Sequence, residues 1–190
     1  MGAPTLQDFT LVTSNPVKIA EYQRFSNTLL RLEHGSDLDE VDGTPDEVII
    51  HKALAAGPGR MVEDSIMVID DQPMVDIRWR LGDLLAGEIT HPAKAIWQVR
   101  LGILHDGVVY AYLGETFGTI CAYDTPGFGI DPIFLVDGVA KTLSALDKAG
   151  TKDPVSARKF AFDNVVSESP YLAVRATDVA PWAGRYQNAS

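Results

Sequence analysis

The chain has 190 residues, which at about 150 residues per domain favours one compact domain with room for an extension. It is 46% hydrophobic and 22% charged, as in an ordinary globular protein, and no apolar stretch reaches the ~18 residues that a membrane span needs. The formal net charge is -10, and no Lys/Arg block supplies the basic surface that binders of nucleic acid or anionic membranes use. A small anionic ligand stays possible, because a few converging cations or a metal ion can set the local potential.

In the first half of the chain, the pattern predicts two strand–helix units. In order, they are a strand at Phe9–Thr13, a helix from Pro16 with apolar residues at helical spacing as far as Leu29 and Leu30, an acidic loop or irregular strand at 34–44, a helix at Pro45–Ala56, and strand pieces at Met61–Glu63 and Met67–Ile69. Pro16 suits a first helical position. Thr44-Pro45-Asp46-Glu47 predicts a capping box at the start of the second helix.

The second half of the chain predicts a central hairpin between helices. In order, we expect a helix at Asp76–Leu85, strands at Ala95–Leu104 and Val108–Leu113, a continuation at Phe117–Ala122 beyond a bulge at Gly114, a strand at Pro132–Val136, a helix at Ser156–Val166, and a strand at Tyr171–Ala176 before an irregular tail. Asp106-Gly107 between apolar runs is a strong hairpin signal. Helices interleaved with strands around a hairpin indicate an α/β fold with a mixed sheet.

Compartment and processing follow from the cysteine count and the first residues. Cys121 is the only cysteine, so no disulfide forms within the chain and nothing indicates an oxidising compartment. Residues 1–6 lack the charged and apolar segments of a signal peptide, and Leu6 stands where a myristoylation signal has Ser or Thr. We therefore expect a cytoplasmic protein.

The turn Thr13-Ser14-Asn15-Pro16-Val17-Lys18 joins the first strand to the first helix. Backbone N–H groups at a helix N-terminus, polar side chains and one lysine together make a phosphate-binding turn. The alternative interpretation is a helix capped by Asn15 with a solvated lysine.

Carboxylates gather at two further places. Glu40 lies in the acidic loop, and Glu63-Asp64 follows a hydrophobic strand. Oxygen ligands of this kind hold Mg²⁺, and a neighbouring carboxylate can take a proton from water. The alternative is a solvated acidic loop and turn.

Two later segments have residues suited to binding a nucleobase and an anionic group. In Gly127-Phe128-Gly129-Ile130-Asp131-Pro132, an aromatic ring between glycines could stack on a base while Asp131 reads its edge. The alternative is a tight turn with Phe128 in the core. Lys152 and Ser156-Ala157-Arg158 place basic groups at the entry of the last helix, which suits an anionic ligand or, alternatively, a solvated helix start.

Taken together, in this order and spacing, the four segments resemble the inosine triphosphate pyrophosphatase family, from about Phe9 to Val166. Thr13–Lys18 resembles its Thr-x-Asn-x-x-Lys element, and Asp37-Leu38-Asp39-Glu40 with Lys52 resembles its metal loop and phosphate-binding lysine. Val62-Glu63-Asp64-Ser65 is similar to the strand end with the catalytic aspartate, and Phe128-Gly129-Ile130-Asp131-Pro132 to the base-binding motif.

The resemblance implies an elongated mixed sheet flanked by helices, two lobes with a central cleft, a homodimer, and Mg²⁺-dependent (Mn²⁺ possible) hydrolysis of a nucleoside triphosphate to a monophosphate and pyrophosphate. It implies that Glu40 and Asp64 hold the metal and that Asp64 activates the water. The triphosphate-binding residues it implies are Thr13, Ser14, Asn15, Lys18, Lys52, Ser65, Lys152, Ser156 and Arg158. Those of the base site are Phe128, Gly129 and Asp131, with Arg78, Glu63 and Ala157 as weaker assignments.

The sequence departs from the family pattern in the base-reading region. Ala157 stands where the family has the histidine of Ser-His-Arg, and Ile130 stands where an aromatic is common. One hydrogen bond lost at a buried base edge is worth about 1–3 kcal/mol, or roughly 10–100-fold in discrimination. The residue pattern therefore predicts retained triphosphate binding with an altered base preference.

Two other function classes remain open from the sequence. One is a nucleotide-binding or sensing protein of the same fold that has lost turnover, and the other is an α/β domain that binds a partner and no nucleotide. We expect residues 1–166 to form the enzyme-like domain, with residues 167–190 as an extension packed on it or at a dimer interface.

Overall fold

The computed structural model describes residues 3–26, 31–33, 35, 38–75, 82–86 and 92–187. The strands are β1 (Thr10–Val12), β2 (Leu32–Glu33), β3 (Arg60–Ile69), β4 (Gln72–Met74), β5 (Ala93–His105), β6 (Val108–Ile120), β7 (Phe134–Val136) and β8 (Leu172–Arg175). The α-helices that we number are α1 (Pro16–Phe25), α2 (Pro45–Ala56), α3 (Leu143–Lys148) and α4 (Ala157–Val166), and short 3₁₀ turns lie at Asp131–Ile133, Asp153–Val155 and Ala176–Asp178.

One mixed sheet runs through the described part of the molecule in the order β2-β1-β3-β5-β6-β7, with β4 beside β3 and β8 beside β6. β1 is parallel to both β2 and β3, whereas the other pairs are antiparallel. The predicted α/β fold with a mixed sheet flanked by helices is confirmed. Among the described residues, no helix has the length and apolar character to cross a bilayer.

The central hairpin forms where the sequence predicts it and is longer than predicted. Asp106 (φ 48°) and Gly107 (φ 73°) adopt the positive φ angles of a type I′ two-residue turn. The predicted bulge at Gly114 is wrong, since Gly114 pairs in register with Val99. Glycine is required there for packing instead, because a Cβ would lie 2.0 Å from the Ala157 carbonyl oxygen of α4.

The two faces of the sheet carry different helices, because side chains alternate along a strand. Tyr110 and Tyr112 of β6 belong to the larger cluster, where α1 and α4 pack with an edge-on contact between Tyr22 and Phe162. On the other face, α2 packs against the strands through Ile49. The capping box of α2 is confirmed, since Thr44 Oγ1 accepts from the Glu47 N–H and Glu47 accepts from the Thr44 N–H.

Several predicted boundaries differ from the observed ones. The two strand pieces around Asp64-Ser65 form one continuous strand, because β3 pairs with β5 along its whole length. The strand predicted from Pro132 begins at Phe134, after a 3₁₀ turn, and the sequence prediction missed α3. Of the predicted helix Asp76–Leu85, residues 82–85 are helical, whereas residues 76–81, with Arg78, lie outside the described residues. Leu29, Leu30 and Asp37 also lie outside them.

Candidate active site

A pocket of about 350 Å³ opens where the β1–α1 turn, the loop before α2, the middle of β3 and the 127–131 loop meet. Most of the predicted site residues line this pocket: Thr13, Ser14, Asn15, Lys18, Glu40, Lys52, Glu63, Asp64, Ser65, Phe128, Gly129, Asp131 and Arg158. Side chains from positions as far apart as 13 and 158 therefore surround one cavity.

Glu40 and Asp64 share one lysine. Lys52, carried by α2, places its Nζ 2.5 Å from Glu40 Oε1 and 3.8 Å from Asp64 Oδ1. Asp64 is 5% exposed, and its Oδ2 is buried with no hydrogen-bond partner among the described residues. Burial raises the pKa of Asp64, although the nearby Lys52 charge opposes this. Burial opposes the charge of Lys52, but Asp64 and Glu40 outweigh it and raise the Lys52 pKa.

Glu63, the residue next to Asp64, is surrounded by donors. Arg158 donates from Nε to Oε2 and from Nη2 to Oε1, each at 2.9 Å. The Tyr22 hydroxyl donates to Oε2 at 2.6 Å, and Lys18 Nζ lies 3.1 Å from Oε1. Burial alone would raise the pKa of Glu63, but the Arg158 and Lys18 charges outweigh it and hold that pKa far below the usual range. Glu63 is therefore a fixed, ionised carboxylate.

A buried ion-pair network lies beside Glu63. Glu21 of α1 accepts from Lys152 Nζ at 3.0 Å and from Arg158 Nη1, and Lys152 also donates to Asp131 Oδ2 at 2.6 Å. Burial raises the pKa of Asp131, and the Lys152 charge lowers it in opposition. Sequence reasoning missed Glu21. Its signal is the spacing on α1, since Glu21 lies one turn beyond Lys18 on the same face.

The β1–α1 turn shows how the predicted phosphate-binding segment folds. Asn15 caps α1, because its side-chain oxygen accepts from the N–H groups of Val17 and Lys18, and its own N–H donates to Thr13 Oγ1 at 3.2 Å. Two of the N–H groups that we predicted to bind phosphate therefore donate to the Asn15 side chain instead. The solvated-lysine alternative is wrong, since Lys18 lines the pocket and pairs with Glu63.

The 127–131 loop presents Phe128 to solvent at the pocket. Phe128 is 43% exposed, so the alternative that placed it in the core is wrong. Gly129 next to it has φ +55°, a conformation that glycine adopts without strain. Asp131 follows on the 3₁₀ turn and is buried. The ring is therefore available to a ligand, while Asp131 is anchored by Lys152.

Three predicted residues near α4 are not among the described residues that line the pocket. Lys152 is 3% exposed and lies within the buried network, Ser156 caps α4 by accepting from the Lys159 N–H, and Ala157 is fully buried. The solvated-helix alternative is therefore wrong for this segment. Contact of Lys152 and Ser156 with a triphosphate stays a prediction.

Trp97 of β5 is a further pocket residue that the sequence did not indicate. Its indole N–H donates to Ser65 Oγ at 2.9 Å, and Lys152 Nζ and Arg158 Cζ each lie 5.5 Å from its ring centroid. The ring thus joins Ser65 to the buried cations. Nothing local distinguishes Trp97 from a core residue, because this role comes from contacts with distant segments.

The family model described as the Ham1 family matches residues 9–168. The chain belongs to the Ham1 family. It is 36% identical over 146 residues to the inosine triphosphate pyrophosphatase of Candida albicans (strain SC5314), covering 68% of this chain and 71% of that protein. It is 28% identical over 155 residues to the dITP/XTP pyrophosphatase of Pyrococcus horikoshii, covering 71% and 82%. These names confirm the resemblance drawn from the four segments.

Solved structures of Ham1 proteins have the same fold. The Coxiella burnetii HAM1 protein superposes with a TM-score of 0.63 at 23% identity, covering 84% of this chain and 97% of that one. The Staphylococcus aureus Ham1 protein gives 0.62 at 22% identity, covering 83% and 96%. The family match ends at residue 168, so β8 and the residues after it extend beyond the matched region.

Proposed function

We propose that this Ham1 protein hydrolyses nucleoside triphosphates to monophosphates and pyrophosphate, acting on non-standard purine nucleotides such as those of inosine and xanthosine. The names of its relatives in yeast and archaea support this activity. The observation that carries it here is the convergence of Glu40, Lys52 and Asp64 at one pocket, with one Asp64 oxygen buried and unpartnered among the described residues. That oxygen is suited to a cation or to the proton of a water molecule.

The donor set fits a divalent cation, and we propose Mg²⁺, with Mn²⁺ as a substitute. Glu40 and Asp64 would hold it, since Mg²⁺ is commonly bound by one or two carboxylates together with substrate phosphates. The described part of the chain contains no group of three or more His, Cys, Asp or Glu side chains placed for a metal. Substrate phosphates and water would supply the remaining ligands. When bound, the cation supplies charge neutralisation on the phosphates.

We assign the proton transfer to Asp64. Its carboxylate accepts a proton from a water molecule whose oxygen bonds to the α-phosphorus, while the bond to the bridging oxygen of the β-phosphate breaks and pyrophosphate leaves. A pKa raised by burial suits a base that works near neutral pH. Lys52 then serves to hold both carboxylates and to face the phosphate charge.

The remaining site residues divide between the phosphates and the base. Lys18 is partly exposed at the pocket and is placed to bind phosphate oxygens, together with the side chains of the β1–α1 turn. Phe128 stacks on the base, and Asp131 lies beside it, fixed by Lys152. Because Ala157 is buried and supplies no polar group, we propose that the margin by which inosine and xanthosine nucleotides are preferred over other nucleotides is narrower than in the resembled family.

The test is pyrophosphate release from a panel of standard and deaminated nucleotides, ribo and deoxy, with and without Mg²⁺. We expect turnover that requires the cation and that drops in Asp64→Asn. Tight nucleotide binding without turnover in the wild-type protein would instead support the sensing alternative. A wide margin for inosine and xanthosine triphosphates would contradict the altered base preference.

We also propose that the protein is a cytoplasmic homodimer that takes nucleotides and not nucleic acid. The resemblance implies the dimer, and the net charge of -10 disfavours a nucleic-acid surface. Sedimentation equilibrium at micromolar concentration tests the dimer, and a monomer at all concentrations would contradict it.

A further inference from the structure

The residues beyond the family match return to the pocket loop. Residues 182–187, which we name the C-terminal strap, lie antiparallel to the loop before α2 through a bridge between Val41 and Tyr186. The Gln187 N–H donates to the Glu40 carbonyl and the Asp42 N–H to the Arg185 carbonyl, each at 2.9 Å. The backbone of a candidate metal ligand is therefore bonded directly to the strap.

The Gln187 side chain adds a second contact at the same place. Its Nε2 donates to the Val41 carbonyl at 3.1 Å, and Arg185 Nη2 lies 3.4 Å from Asp42 Oδ2. Hydrogen bonds between the strap and the loop thus involve the Glu40 carbonyl, the Val41 carbonyl and the Asp42 N–H. The strap thus holds the backbone of the loop at the position from which the Glu40 side chain lines the pocket.

Trp182 anchors the strap to α2. Its ring packs edge-on to His51 with centroids 5.4 Å apart, and its Nε1 donates to the Arg185 carbonyl at 2.8 Å. A Cβ at Gly43 would lie 2.8 Å from this ring, and a Cβ at Gly184 would lie 2.6 Å from it. Both glycines therefore make room for the indole, one on each of the two segments that it joins.

The loop that the strap contacts carries several like charges. Asp39, Glu40 and Asp42 lie within four positions, and their mutual repulsion disfavours one ordered path. Lys52 fixes the Glu40 carboxylate from α2, while the strap fixes the Glu40 backbone from the other side. Partners that orient a metal ligand typically change metal affinity by about 10–100-fold when they are removed.

We propose that the C-terminal strap is a positioning element for Glu40 and thereby sets the affinity of the site for its divalent cation. This inference deepens the proposed function and rests on it for the role of the cation. The residues concerned lie beyond the match that ends at residue 168, so the strap would make cation affinity depend on a segment outside the family core.

Variants of the full chain at Gln187 separate the backbone contact between the strap and the loop from the side-chain contact. Gln187→Pro removes the N–H that bonds Glu40 and also the side-chain amide, whereas Gln187→Ala removes the amide alone. Deletion of residues 182–190 removes the strap and its anchor. Thr177→Ala is the matched control, since Thr177 lies in the same tail and its hydroxyl contacts Asp178, away from the loop.

Two measurements follow cation binding: the Mn²⁺ dissociation constant of the free protein by electron paramagnetic resonance, and the Mg²⁺ concentration for half-maximal pyrophosphate release. We expect both to rise about 10-fold in the deletion and in Gln187→Pro, less in Gln187→Ala, and not in Thr177→Ala. The rate at saturating Mg²⁺ should return close to the wild-type rate, which a loss of folded protein would not allow.

Thermal unfolding without Mg²⁺ measures the folded fraction of each variant. If the deletion variant does not fold, Gln187→Pro and Gln187→Ala still test whether the strap sets cation affinity. Unchanged Mn²⁺ and Mg²⁺ values in Gln187→Pro overturn the inference, as does a rate that stays low at saturating Mg²⁺. If the wild type releases no pyrophosphate from any nucleotide but Mn²⁺ affinity still falls in the strap variants, the proposed function fails and the positioning of Glu40 stands.

Discussion

Two neighbouring carboxylates on β3 have opposite surroundings. Glu63 and Asp64 are both buried, yet they contact different elements, because consecutive side chains on a strand leave opposite faces. Glu63 contacts donors from α1 and α4, whereas Asp64 contacts only Lys52 of α2, at 3.8 Å, among the described ion pairs. Adjacent acids in sequence thus receive different chemistry from the helices that cover them.

The difference separates a structural charge from a reactive one. Four contacts compensate the burial of Glu63, so its charge is part of the folded core. The unpartnered Asp64 oxygen costs about 1–3 kcal/mol of desolvation that no hydrogen bond offsets. A cation or water molecule bound in the pocket would satisfy this oxygen and remove the desolvation cost. Asp64 is therefore a better candidate for the catalytic carboxylate than Glu63.

The largest expected effect is on activity in Asp64→Asn. The amide keeps the shape but accepts no proton and holds a cation poorly, so pyrophosphate release should fall about 10²–10⁴-fold. Stability should change by less than about 1 kcal/mol or increase, because burial raises the Asp64 pKa and the fold thus disfavours the ionised form. Steady-state rates and urea unfolding measure the two effects. Full activity in this variant would remove Asp64 from the mechanism.

The corresponding isosteric change at the neighbouring carboxylate, Glu63→Gln, should lower the stability of the fold. Glu63→Gln removes the carboxylate that accepts two hydrogen bonds from Arg158 and leaves Glu21 as the partner of that buried guanidinium among the described residues. Breaking one buried pair in this way costs up to about 3–5 kcal/mol. For a chain of this length, that corresponds to a fall of roughly 10 °C in Tm. Calorimetry of the two variants side by side tests the comparison. Equal Tm values for Glu63→Gln and Asp64→Asn would contradict the division into structural and reactive carboxylates.

Local signals predicted the elements whose ends are set locally. The bounds of α2 agree with the prediction because Pro45, the Thr44 cap and Gly57 all lie within the segment itself. The Asp106-Gly107 turn is equally local. The six residues of α3 are too few for a helical period to show, although Thr142 caps that helix. Elements that depend on pairing, such as the continuous β3, could not be bounded from the sequence.

The residues of the site were predictable from the resemblance, but their partners were not. The four segments predicted that Glu40, Asp64 and Lys52 act together, and the pocket brings them together. No local pattern shows that Glu21 binds Lys152 and Arg158, because these contacts join positions more than 130 apart in the chain. The division between Glu63 and Asp64 depends on helix packing, so it appears only in three dimensions.

A smaller effect, on KM, is expected from Lys18, which contacts Glu63 as Arg158 does but is more exposed. Its side chain is 20% exposed at the pocket, whereas Arg158 is 3% exposed, although both contact Glu63. Lys18→Met should raise KM for the nucleotide by at least about 10-fold, because a hydrogen bond to a charged group is worth about 1.5–3 kcal/mol. Stability should change little because Arg158 remains. Steady-state kinetics with unfolding curves decide this, and a large loss of Tm without a KM change would place Lys18 with the structural charges.

The smallest effect is expected at an exposed pair with similar geometry. Arg24 donates to Asp153 at 3.0 and 2.6 Å, a two-bond arrangement like that of Arg158 with Glu63, but the two side chains are 46% and 33% exposed. Asp153→Asn should therefore cost no more than about 1 kcal/mol, and less at high salt. Urea unfolding at low and high salt measures it. A cost equal to that of Glu63→Gln would mean that pairing geometry, and not burial, decides which charges hold this fold.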